Sequence, residues 1–80
     1  MKYLNFVECA SDGRKTKVWM VRNTQGEDLG AVHFRSPWRK YVFGTLPSEA
    51  SADFDHACLL EIATFCREQT QAWRESLESL

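Results

Sequence analysis

The stretch Lys17-Val18-Trp19-Met20-Val21-Arg22-Asn23-Thr24-Gln25-Gly26-Glu27-Asp28-Leu29-Gly30-Ala31-Val32-His33-Phe34-Arg35 reads as a β-hairpin. Aromatic and β-branched residues set the character of Lys17 to Arg22, as in a half-buried strand. Asn23 to Glu27 carries turn residues and a glycine, so it closes a short loop, and Leu29 to Arg35 returns antiparallel. In that returning strand Val32 and Phe34 point to one face while Ala31, His33 and Arg35 point to the other, because side chains alternate across a pleated strand.

Working outward, Lys2 to Cys9 mixes aromatic, β-branched and polar residues and ends at the turn signal Ser11-Asp12-Gly13, which predicts a further strand. On the other side Ser36-Pro37 breaks the ladder, since proline has no backbone donor. Lys40-Tyr41-Val42-Phe43 predicts a fourth short strand, closed by Gly44 and then Pro47. Parallel pairing needs long crossovers, so these short connections predict an antiparallel meander over residues 2–46. Residues 47–53 read as a polar linker ending in a helix N-cap, Asp53, with Asp55 adding negative charge where the helix dipole is positive.

From Asp53 onward neither glycine nor proline occurs, and residues 54–79 predict one helix. Leu59, Ile62, Ala63, Cys66, Thr70, Trp73 and Leu77 recur at three- and four-residue steps and form its apolar stripe. The expected fold is α+β: a three- to four-stranded antiparallel β-meander packed against one long C-terminal amphipathic α-helix. Trp19, Val21, Val32, Phe34 and one face of the fourth strand are expected to meet Leu59, Ile62, Phe65 and Cys66. Such a helix runs about 39 Å, against about 23 Å for a seven-residue strand. Trp73, Leu77 and Leu80 are therefore expected beyond the sheet. Three outcomes are open: a bend near Gln69-Thr70-Gln71, fraying, or weak homodimer formation through those three residues.

At 80 residues and 44% hydrophobic composition, the chain is expected to form one domain, because a chain this short buries only about 60 to 65% of its unfolded surface. A multidomain enzyme is excluded. No run of apolar residues is long enough to cross a membrane, and Met1 to Phe6 lacks the apolar stretch of a signal peptide, so a cytoplasmic location is expected. Cys9, Cys58 and Cys66 are odd in number and include no C-x-x-C pair. On a shared helix Cys58 and Cys66 would lie roughly 12 Å apart along the axis, beyond the about 7 Å Cα limit of a disulfide. They read as reduced, buried thiols. His56 and Cys58 are two residues apart and point to different helix faces, which argues against a nucleophile–base pair. With His33 isolated, no set of three or four metal ligands has usable spacing, and neither metal nor cofactor is expected.

The formal net charge of -1 hides an asymmetry. Residues 1–46 carry eight Lys or Arg against four acids, a local +4, whereas residues 47–80 carry seven acids against Arg67 and Arg74, a local -5. Glu61, Glu68 and Glu75 recur every seven residues, with Glu78 beyond them. They are expected to form an acidic ridge on the outer helix face, either solvated or engaging a basic surface of a partner. In the basic half, Arg35 and the run Ser36-Pro37-Trp38-Arg39-Lys40-Tyr41 combine cations with aromatics. Exposed Trp and Tyr stack bases while cations hold phosphates, and Trp and Arg also anchor protein interfaces. The alternative is a Trp38 that caps the core beside solvated Arg39 and Lys40. No RNP-like aromatic motif, G-x-x-G loop or helix-turn-helix is present.

Lys17-Val18-Trp19-Met20-Val21-Arg22-Asn23, then Leu29-Gly30 with Phe34, then Pro37-Trp38-Arg39-Lys40-Tyr41-Val42-Phe43, then Phe54-Asp55 and Cys58 to Phe65, resembles a family of small phage and prophage proteins. The resemblance covers roughly residues 16–70. It implies a small sheet-plus-helix domain and transfers no catalytic residue. Two departures stand out: Met20 replaces a more polar residue, which makes its sheet face a candidate contact, and Gly44-Thr45-Leu46-Pro47 replaces a more aromatic step. By analogy with small phage accessory proteins, of which anti-CRISPR proteins are the best-known class, the expected function is a non-enzymatic binding module. It would inhibit a host nucleic-acid-targeting complex, a host protein or ribonucleoprotein, through the acidic helix face (Glu61, Glu68, Glu75, Glu78) or the basic-aromatic edge (Arg35, Trp38, Arg39, Lys40, Tyr41). The alternative is a small nucleic-acid-binding domain that uses the second surface.

Overall fold

The computed structural model describes residues 2–9, 16–45 and 53–78. Four strands, β1 (Leu4–Glu8), β2 (Trp19–Asn23), β3 (Asp28–Arg35) and β4 (Lys40–Thr45), pair antiparallel in chain order, and one helix, α1 (His56–Glu78), follows them. The fold is the expected α+β meander with a long C-terminal helix. Its central loop is built on Asn23, whose side-chain oxygen accepts the backbone N–H groups of Gln25 and Glu27, both at 2.9 Å. Gly26 takes a positive φ of 84° there, a conformation that glycine adopts without steric cost.

Register places Leu4, Phe6, Trp19, Val21, Val32, Phe34, Tyr41 and Phe43 on one sheet face, since directly opposed residues share a side. Val21 and Val32 are fully buried, and Leu4, Trp19, Tyr41 and Ile62 complete the core. Gly30 lies among these large side chains because a Cβ there would come within 2.7 Å of the Phe43 ring. Phe65 on α1 stacks on Phe6 with centroids 4.0 Å apart and meets Trp19 edge-on at 5.0 Å. The opposite sheet face carries Val7, Met20, Ala31 and Val42, and no described element covers it. Met20 is half-buried there beside an exposed Val7.

Three expectations about the helix are corrected, and one of the outcomes left open is addressed. Asp55, not Asp53, is the cap: its Oδ1 accepts the Cys58 N–H at 2.9 Å, and α1 starts at the next residue, His56. Leu59 is not core but 53% exposed, and Ala63 is exposed as well, while Phe65 and Cys66 pack inward. The helix is rolled toward β1 relative to the expected stripe, because the Phe6 and Trp19 rings capture Phe65. Trp73 does not overrun the sheet, since its ring packs on Phe34 at the end of β3, with centroids 4.7 Å apart. Finally, α1 continues unbroken through Gln69, Thr70 and Gln71. Of the residues proposed for self-association Trp73 is thus occupied within the fold, Leu77 is 41% exposed, and Leu80 lies outside the described residues.

Candidate functional site

The expected acidic ridge does not stand apart from the core. Glu61 is half-buried, and its two carboxylate oxygens accept the Tyr3 N–H at 2.9 and 3.1 Å, which ties α1 to the start of β1. Seven residues are about two helical turns, so Glu68 and Glu75 follow Glu61 along the same flank. Both are exposed, as is Glu78, and Gln71 donates a side-chain hydrogen bond to Glu75 at 3.2 Å.

The basic-aromatic edge is assembled more fully than its sequence implies. Pro37 opens a 3₁₀ turn, Ser36–Trp38, that ends on Arg39, whose φ of 55° and ψ of 43° are left-handed. Such a backbone is uncommon outside glycine and marks a segment over-determined by its surroundings. Two bonds hold it: the Arg39 N–H donates to the Arg35 carbonyl at 2.9 Å and to the Ser36 carbonyl at 3.1 Å. This reversal projects Trp38 into solvent, 59% exposed, with the Arg35 guanidinium 4.2 Å over its ring. Arg39 lies 5.7 Å over Trp73. Trp38 therefore does not cap the core.

Tyr41 is corrected from surface to core. It is 7% exposed, its hydroxyl accepts the Lys17 N–H at 3.1 Å, and its ring meets those of Trp19 and Phe34 edge-on. It cannot stack on a ligand. In its place the helix contributes two cations that sequence reasoning had assigned to the acidic half. A cleft of ≈ 340 Å³ between β4 and α1 is lined by Lys40, Tyr41, Cys66, Arg67, Thr70, Gln71 and Arg74. Thr70 forms part of this lining: its hydroxyl accepts the Tyr41 N–H at 3.0 Å and donates to the Cys66 carbonyl at 2.8 Å. Lys40, Arg67 and Arg74 thus share this cleft, while Arg39 stands over Trp73 and Arg35 packs on the exposed Trp38 ring. The ion pairs among the described residues are Lys17–Glu8 and Arg22–Asp28, so none of these five is neutralised by one.

The thiols and imidazoles assemble no comparable site. All three cysteines are free. Partial burial, then the hydrogen bond and negative charge of Asp55, pushes the Cys58 thiol up, and burial does the same for Cys66. Both shifts disfavour the thiolate that nucleophilic or metal chemistry needs. Among the described residues no three His, Cys, Asp or Glu side chains are grouped to hold a metal ion. No described helix is long and apolar enough to cross a membrane.

The signal for the Arg67 and Arg74 contribution was present only as a seven-residue spacing. Two turns apart, they share a flank, but which strand that flank meets depends on how the helix rolls. No protein-family model, curated protein or solved structure matches the chain, so the resemblance to small phage proteins rests on its motif residues alone.

Proposed function

We propose that this protein is a non-enzymatic binding module whose working surface is the β4 flank, and that the surface takes a single-stranded, phosphate-bearing chain. The observation that carries this reading is a set of five cations, from β3, the turn residue Arg39, β4 and α1, around the exposed Trp38 of the β3–β4 connection and the cleft between β4 and α1. Base stacking on an exposed aromatic contributes about 1 to 3 kcal/mol, and cations along a groove hold the backbone without reading sequence. Arg35 already stacks on Trp38, so a base would bind the other ring face and complete a sandwich. Lys40, Arg67 and Arg74 would take phosphates in the cleft between β4 and α1.

A direct test is titration with an oligothymidylate of about 12 nucleotides, within the footprint of small single-strand-binding domains. Binding should weaken steeply with salt. Trp38→Ala should lose about 1 to 3 kcal/mol of affinity, and the pair Arg67→Glu with Arg74→Glu should flatten the log–log salt dependence by about one to two. No binding at low ionic strength would sink the reading. Inhibition of a host nucleic-acid-targeting complex through protein contact is the second reading. The exposed carboxylates of Glu68 and Glu78 support it, and it requires no oligonucleotide affinity.

A further inference from the structure

β1 ends the sheet on the side away from the cationic cleft, so half of its backbone groups face outward. The alternation is set by the Cys9 N–H, which donates to the Val18 carbonyl at 2.8 Å. Cys9, Val7 and Asn5 therefore bond toward β2, and Leu4, Phe6 and Glu8 present their N–H and C=O groups outward. Natural sheets blunt such edges with lysine, proline, bulges or a covering element. β4 shows that treatment, with Lys40 on the strand and Thr70 of α1 seated on the outward Tyr41 N–H. β1, Leu4-Asn5-Phe6-Val7-Glu8, has neither lysine nor proline, and no described strand pairs with its outer side. A groove of ≈ 650 Å³ lies where β1 and Phe65 meet the end of β2 and the β2–β3 turn, and its lining includes Leu4, Phe6, Asn23 and Gly26. Above this side of the sheet the Glu61 carboxylate receives the Tyr3 N–H, and the helix period puts the exposed Glu68 two turns on along the same flank of α1. Arg22, the cation in the groove lining, is held by Asp28 at 2.7 Å.

The geometry points to the outer edge of β1 as a docking site for an extended peptide segment of a partner protein, bound as an added strand. Backbone bonds to Phe6 and Glu8 would supply affinity. On the helix-facing side, an apolar residue would cover the Phe6–Phe65 stack, and Lys or Arg residues two positions either side of it would face Glu61 and Glu68. A second copy fits less well, because pairing β1 with its own symmetry mate would oppose two carboxylate flanks. This inference is independent of the phosphate-strand reading, since it uses the opposite flank.

The probe is the synthetic peptide Thr-Lys-Val-Phe-Thr-Lys-Thr, which places Lys, Phe and Lys on one face, compared with a version carrying Glu for both Lys. Amide exchange and chemical shifts of the full chain are followed by NMR. The basic peptide should slow exchange at Phe6 and Glu8 by about tenfold or more at saturation, as newly bonded amides do. Glu8→Pro removes one outward donor without touching the β1–β2 ladder and should abolish that protection. Glu68→Lys, on an exposed helix position, should weaken binding by about threefold or more, the scale of one partly exposed charge pair. Equal binding of the acidic peptide would overturn the assignment, and so would shifts confined to the Met20 face. Protection of Phe6 and Glu8 that rises with protein concentration in the absence of peptide would also overturn it, in favour of a second copy.

Discussion

The two edges of the sheet meet the helix by different means, and the difference shows how one helix divides its work. On the β1 side, contact is aromatic: Phe65 lies flat on Phe6, and the Glu61 carboxylate receives the Tyr3 N–H. On the β4 side, contact is polar and buried: the Thr70 hydroxyl bridges the Tyr41 N–H and the Cys66 carbonyl, at 8% exposure for the residue. Beside the first contact no described strand pairs with the outer backbone of β1, whereas the second caps the outward Tyr41 N–H of β4. Charge follows the same division, with Glu61, Glu68 and Glu75 on the β1 flank and Arg67 and Arg74 on the β4 flank. Within the described helix the charges are therefore divided between two flanks rather than spread evenly.

That contrast can be broken at three points. The largest effect is expected from Phe65→Ala, which removes the stack on Phe6 and the edge contact with Trp19. Truncating a core phenylalanine costs about 3 to 5 kcal/mol, and half-burial puts this one at about 3 kcal/mol, measured by urea unfolding. Amide exchange in the same variant should accelerate first at β1, since β4 keeps its own bridge to the helix; simultaneous loss of both edges would show that they are one cooperative unit.

Next comes Thr70→Val, which keeps shape and removes the hydroxyl. The Tyr41 N–H is then left buried without an acceptor, at about 2 kcal/mol, whereas Thr70→Ser should retain most of the stability. Equal losses in the two variants would mean that packing of the methyl group, not the hydrogen bond, closes the β4 edge.

The smallest effect concerns the helix start that both flanks share. Hydrogen bonding to the Cys58 N–H holds the Asp55 carboxyl below its ordinary value of 3.8. A depressed carboxylate contributes its stability above the unfolded value and loses it as pH falls through the folded one. The melting temperature of Asp55→Ala should therefore lie below that of the wild type at pH 6 to 8 by a constant margin, and that margin should narrow below about pH 4. A margin that stays constant down to pH 2 would exclude the carboxylate as the source of the cap's contribution.

Much of the fold was legible because its signals are local. Trp19, Val21, Val32 and Phe34 lie on one face by strand alternation alone, and Asn23 to Gly26 announces a turn through side-chain acceptor chemistry and one positive φ. The unbroken helix follows from the absence of glycine and proline after Pro47. The site was less legible. Tyr41 reads as a surface aromatic beside Lys40, yet it is core, because a pleated strand sends neighbours to opposite sides and only the register with Phe34 says which side is inner. Arg67 and Arg74 read as minor charges in an acidic segment, yet they complete the basic cleft from a helix that begins more than ten residues after β4 ends.

By itself, then, the amino-acid order determined the elements, their antiparallel sequence, the inward rows of β2 and β3 and the presence of two opposite charge populations along the chain, since each is carried by residues within one segment. Only the tertiary structure decided the roll of the helix. Leu59 and Phe65 both neighbour Ile62 on the helix surface, and the choice between them fell to the Phe6 and Trp19 rings, which offer Phe65 a flat and an edge contact that Leu59 could not use. That roll carries Glu61 to β1 and the Arg67 and Arg74 guanidinium groups to β4, and so separates a strand edge that no described strand pairs from a cationic cleft.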